Sequence, residues 1–203
     1  MNKRNYLILL SFFVSALSGC ALGPEKRDAP AVFDLGPQRV QQSAAPVVNA
    51  TLLIAPVAAS PWLDNPNIQY RLTYQDASRP DAYAQNRWAM SPALMLTERV
   101  RARFANAARG VVTAQDGAKA DYALRIELED FSQQFSGAQS STATARLRAS
   151  LIDQNTRALH AQRTFSAERP AAPSAAGAAQ ALAAASDAVM EDLVKWAAEQ
   201  IKK

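Results

Sequence analysis

The sequence predicts an α+β domain, a mainly antiparallel sheet with two helices packed on one face as a two-layer sandwich. Two observations carry this. Around residues 122–129 and 142–151 apolar and polar side chains alternate strictly, as strands buried on one face require. Near residues 92–108 and 175–202 the apolar residues instead recur every three, four or seven positions, the stripe of a helix.

The chain opens with Lys3 and Arg4, an apolar run from Tyr6 to Leu17, and then Leu17-Ser18-Gly19-Cys20. That is the layout of an export signal. The run is 12 residues long, short of the ~20 that a helix needs to cross a bilayer. The tetrapeptide resembles the bacterial lipobox, which implies cleavage after residue 19 and a lipid on the Cys20 thiol. Cys20 is the only cysteine among 203 residues, so an exported chain forms no internal disulfide and keeps its one thiol for something else. The expected organisation is a signal peptide over 1–19, an anchor and tether over 20–30, and one domain over 31–203. Loss of Lys3 and Arg4 brings the 22 basic residues to 20 against 18 acidic, with no clustered basic footprint, and this excludes a nucleic-acid binder.

Residues 21–30 have no period and carry two prolines, as a tether would. Ala31 to Gly36 reads as a short strand. Val47 to Ala58 reads as a buried central strand that ends or bulges at Pro56. A turn-rich loop from Ser60 to Pro66 precedes a hairpin of Ile68–Tyr74 and Ala82–Met90 around Ser78-Arg79-Pro80-Asp81. Ser91-Pro92 is an N-cap and first-turn proline, and Leu96, Val100, Phe104 and Ala107 continue the helix to about Ala108, with Gly110 as its stop. Arg99, Arg101 and Arg103 read as a solvated face of that helix.

A strand at Val111–Ala114 leads into a meander of three antiparallel strands. Tyr122, Leu124, Ile126 and Leu128 alternate with polar residues in the first, and Ala143, Ala145, Leu147, Ala149 and Leu151 do so in the second. The third, Ala158 to Ala167, follows a turn at Gln154-Asn155-Thr156. Closing the hairpin at Gly137-Ala138 places Leu124 opposite Leu151, Ile126 opposite Ala149 and Leu128 opposite Leu147. Glu127 then meets Arg148 and Glu129 meets Arg146. The last helix, Ala175 to Lys202, presents Leu182, Val189, Leu193 and Trp196, which should cover the hairpin's apolar face.

The search for chemistry is nearly empty. His160, the single histidine, has the strand parity of a solvent-facing residue. One histidine and one committed cysteine are too few for a zinc site, and no calcium loop, phosphate loop, dinucleotide fingerprint or nucleophile elbow is present. No metal, cofactor or catalytic residue is expected. What stands out is a group of aromatic and arginine residues typical of binding hot spots: Trp62, Tyr70, Tyr74, Tyr83, Arg87 and Trp88. These are the candidates for a partner surface, although for any one ring filling the core is the commoner fate.

The succession Trp62-Leu63-Asp64, Tyr70-Arg71-Leu72, Tyr83 to Ala89 and Ser91-Pro92, with Phe33-Asp34-Leu35 before it, resembles the ABC-type transport auxiliary lipoprotein family, which includes the PqiC lipoproteins. The resemblance implies a non-catalytic, periplasm-facing lipoprotein that works in lipid trafficking with an MCE-domain protein and inner-membrane transporter subunits. It leaves a homo-oligomer open. Ala21 after the lipid-bearing cysteine, in place of aspartate, points to the outer membrane. An outer-membrane lipoprotein that activates a wall synthase or helps outer-membrane assembly would share the anchor, the tether and the small domain, and a hydrolase is the third class.

Overall fold

The computed structural model describes residues 29–38 and 47–202; Cys20 and most of the expected tether lie outside the described residues. The strands are β1 (Ala31–Phe33), β2 (Val48–Ile54), β3 (Ala58–Ala59), β4 (Asn67–Leu72), β5 (Pro80–Trp88), β6 (Ala108–Val112), β7 (Tyr122–Gly137), β8 (Ser140–Asp153) and β9 (Leu159–Ala171). Helix α1 (Pro92–Ala105) lies between β5 and β6, and α2 (Ala175–Ile201) closes the chain. All nine strands form one curled sheet, and sheet and helices share one hydrophobic cluster.

The expected antiparallel sheet is corrected to a mixed one. Among the described residues only β4–β5, β7–β8 and β8–β9 pair antiparallel. The pairs β1–β5, β2–β6, β2–β7, β3–β7 and β4–β7 are parallel. The cause is β7, which is 16 residues long. One edge of β7 pairs with β8, and the other receives β2 at Tyr122–Leu124, β3 at Glu127–Leu128 and β4 at Ser132–Phe135. The expected strand Val47–Ala58 is therefore two pieces, β2 and β3, broken around Pro56, whose nitrogen cannot donate to a ladder.

The meander and its register hold through Leu128. Leu124 faces Leu151, Ile126 faces Ala149, Glu127 faces Arg148 and Leu128 faces Leu147. A bulge then intervenes, and it is Asp130, not Glu129, that stands opposite Arg146. Glu129 instead lies 3.7 Å from the Arg148 Nε. An extra residue in one strand flips the alternation. The large buried apolar side chains are accordingly even-numbered before the bulge (Leu124, Ile126, Leu128) and odd-numbered after it (Phe131, Phe135).

Helix α2 buries Leu182, Val189, Leu193 and Trp196 as expected, with Trp196 edge-on to Phe165 of β9 at 5.5 Å between ring centres. Its start is fixed by Ser174, whose hydroxyl accepts from the Gly177 N–H. Gly177 is required there, since a Cβ would sit 2.4 Å from the Ala172 carbonyl oxygen.

Helix α1 ends at Ala105, earlier than expected. Gly110 is no helix stop but a residue of β6 lying against Thr51. The solvated arginine face is also corrected. Arg99 is 2% exposed, and its guanidinium donates to Asp187 Oδ1 of α2 at 2.5 Å and to the carbonyls of Leu35 and Gly36 at 2.6 and 2.9 Å. One cation thus ties both helices to the segment after β1.

Candidate partner surface

Successive residues of a strand project to opposite faces, so β4 divides the candidates. Tyr70 stands beside Gln133 on the core side, and Arg71 beside Gln134 on the other. Tyr70 packs against Tyr83 at 4.8 Å and against Phe135 at 5.9 Å. The Tyr83 hydroxyl donates to Gln133 Oε1 at 2.8 Å, while the Gln133 amide donates to Ser141 Oγ and to the Ala172 carbonyl. The fully buried Gln133 thereby joins β5, β7, β8 and the turn into α2. Burial, and secondarily Tyr70, pushes the Tyr83 phenol up to about 12.

On the opposite face Trp62 is half-buried, with the Arg71 guanidinium over its ring at 5.1 Å. The turn that carries it is tightly held. Leu63 and Asp64 donate to the Ser60 carbonyl, and Asn65 and Gln69 side chains donate to the Trp62 carbonyl at 2.7 and 3.3 Å. A rigid aromatic ring stacked by a cation is the kind of anchor that binds without much loss of side-chain freedom.

Asp130, at the bulge, belongs to this same face. Burial raises its carboxyl pKa, against hydrogen bonds from Ser132 and Gln134 and the fields of Arg71 and Arg146.

The six candidates are therefore not one surface. Trp88 is 1% exposed and packs on Phe131, so it belongs to the core and is corrected from the surface set. Tyr70 and Tyr83 are partly buried. Tyr74, 47% exposed, lies in the turn after β4, and Arg87 is exposed on β5 beside Val32 of β1. Arg71 and Asp130 were missed as site residues, because only the fold places Arg71 over Trp62 and Asp130 within the field of Arg71. His160 is exposed, and its Nε2 lies 3.1 Å from the Gln200 carbonyl at the end of α2.

Among the described residues no group of side chains is arranged to hold a metal ion, and no helix is long and apolar enough to cross a membrane. A family model described as the ABC-type transport auxiliary lipoprotein component matches residues 33–194. The chain belongs to that family. The auxiliary-lipoprotein domain resembles the crystal structure of a Xanthomonas campestris protein of family DUF330, with TM-score 0.75 and 25% identity over 85% of this chain and 97% of that one. It is also similar to a second crystal structure, of an uncharacterized protein, with TM-score 0.64 and 16% identity over 83% and 99% of the two chains. A Chlamydia trachomatis hypothetical protein shares the fold at TM-score 0.51 and 7% identity, over 75% of this chain and 98% of that one. No curated protein matches the sequence. Membership makes this a lipoprotein of the cell envelope associated with an ABC-type transport system.

Proposed function

We propose that the chain is a non-catalytic accessory subunit of an MCE- and ABC-type lipid transport system, anchored through Cys20 to the outer membrane and facing the periplasm. The observation that carries this reading is the Trp62–Arg71 stack, a partly buried ring on a hydrogen-bonded turn, at a site with no catalytic constellation among the described residues. A docking role asks for such a rigid anchor. The partner touching it is the MCE-domain protein, and the inner-membrane transporter subunits are reached through that protein. Several copies sharing one partner would suit this role.

The test is co-purification of the lipidated chain with the MCE protein and transporter expressed from the same genome. Trp62→Ala and Arg71→Ala should each reduce recovery of the MCE protein at least tenfold while the melting temperature of the domain stays within a few degrees. Unchanged recovery with both variants would remove Trp62 from the interface, and recovery of wall-synthase components in place of the MCE protein would favour a regulatory lipoprotein.

A further inference from the structure

The sheet ends at β1, whose outer edge has no strand partner among the described residues. Phe33 accepts from the Ala89 N–H, so its main chain faces β5. Main-chain direction alternates along a strand, and the N–H and C=O of Val32 therefore face away from β5. Val32 lines a groove of about 1080 Å³, walled by residues 32–37 on one flank and by α2 on the other, with Ala89 and Arg103 also lining it. The α2 wall runs from Ala176 to Glu191 and includes Ala179, Ala183 and Ala184.

Fifteen helical steps of ~1.5 Å make this wall about 22 Å long. Extended chain at ~3.3 Å per residue fills that length with about seven residues. The alanine side of α2 leaves depth for larger side chains to enter, and the edge of β1 offers main-chain donors and acceptors. The charge at the Ala176 end is unmatched. Arg169 lines the groove, donates only to the Glu168 carbonyl, and has no carboxylate within 4.0 Å among the described residues.

We propose that this groove takes an extended segment of another polypeptide, about seven residues with alternate apolar side chains, added as a strand to β1 with a carboxylate opposite Arg169. Strand addition draws affinity from main-chain hydrogen bonds and specificity from alternate side chains, which is what an open edge beside a small-residue wall provides. The site is separate from the Trp62 face, so the two inferences stand or fall independently.

The test uses the full mature chain with Cys20→Ser and a fluorescein-labelled heptapeptide, Glu-Val-Thr-Val-Thr-Val-Ser, read by anisotropy. Saturable binding is expected. It should weaken at least tenfold in Val32→Pro, which deletes the groove-facing N–H without touching the β1–β5 ladder, and at least tenfold in Ala184→Trp, which fills the groove. Backbone N-methylation of alternate peptide residues should have the same effect, and Arg169→Glu should weaken binding severalfold. If Val32→Pro fails to fold, Ala184→Trp and the methylated peptide still decide the matter.

In cells, a photo-crosslinking residue at Ala184 of the full-length chain should attach to one other polypeptide, within a sequenced segment of alternating apolar residues. No saturable binding up to about 1 mM, or equal binding of the methylated peptide, would overturn the proposal. A crosslink onto residues 20–46 of the same chain or onto a second copy of it would do so too.

Discussion

Replacing Arg99 with methionine should be among the costliest single changes on either helix. The side chain is 2% exposed, and three acceptors depend on it: Asp187 Oδ1, the Leu35 carbonyl and the Gly36 carbonyl. Removing one member of a buried ion pair costs about 3–5 kcal/mol, most of it from groups left without a partner. Asp187 moderates this, since it is 25% exposed and keeps Arg103 at 3.4 Å. The loss should therefore fall near the lower bound, about 3 kcal/mol, which for a domain of this length is a drop of roughly 6–12 °C in Tm. Asp187→Asn should cost clearly less, because Arg99 retains both carbonyls. The assay is urea and thermal unfolding of residues 20–203 with Cys20→Ser, together with limited proteolysis between residues 34 and 38. Arg99→Met should expose that stretch to cleavage before global unfolding, since the carbonyls it releases belong to the segment after β1. A Tm shift below about 3 °C, or equal shifts for both variants, would refute the clamp.

Trp88→Ala should cost about 3–5 kcal/mol as a core deletion, whereas Trp88→Phe should cost much less, because the buried Trp88 N–H has no acceptor among the described residues and its removal relieves a desolvation cost; chemical denaturation ranks the two. The phenol of Tyr83 adds a pH dependence at the alkaline end. Its folded pKa of about 12 lies above the ordinary value of 10.0, so the unfolded chain loses the proton first. Stability should hold below pH 10, decline between pH 10 and 12, and lose this part of the decline in Tyr83→Phe, measured as urea midpoint against pH. Partial exposure holds the effect to the order of 1 kcal/mol. Deleting Glu129 should leave a folded domain with Leu128 opposite Leu147 and Asp130 opposite Arg146, whereas deleting Glu127 should turn the apolar side chains before it to the wrong face and unfold the protein; circular dichroism and Tm distinguish them.

Local pattern carried much of this fold. The alternation in β7 and β8 set their partners and their faces, because a one-residue slip would bury Arg148 or Arg146. Even the bulge was written in the chain, where the apolar residues switch from even positions up to Leu128 to odd ones at Phe131 and Phe135. Strand direction was not written there. The parallel contacts of β7 with β2, β3 and β4 join residues about 60 to 70 positions apart, and burial patterns do not encode orientation. The site was legible in composition and not in arrangement. Trp62 and Trp88 are equal as letters, but one sits on a turn beneath Arg71 and the other faces Phe131 in the core. Arg99 read as part of a solvated arginine face and became a buried tie because α2 supplies Asp187 and the segment after β1 supplies two carbonyls.

The long β7 has a kinetic consequence. A polypeptide exported from its N-terminus delivers Val48 to Leu72 first, while their neighbours between Tyr122 and Phe135 have yet to emerge. During that interval three strands have unpaired edges, and among the described residues no hairpin of their own closes β2 or β3. Non-local pairing of this kind folds slowly and leaves sticky edges open to collision with other chains. The β7–β8–β9 meander, built from local turns, should be the template that forms first, onto which the earlier-made strands are then drafted. The N-terminal half of this lipoprotein should thus depend on a holdase, or on sheer speed of translocation, to reach its folded state unaggregated.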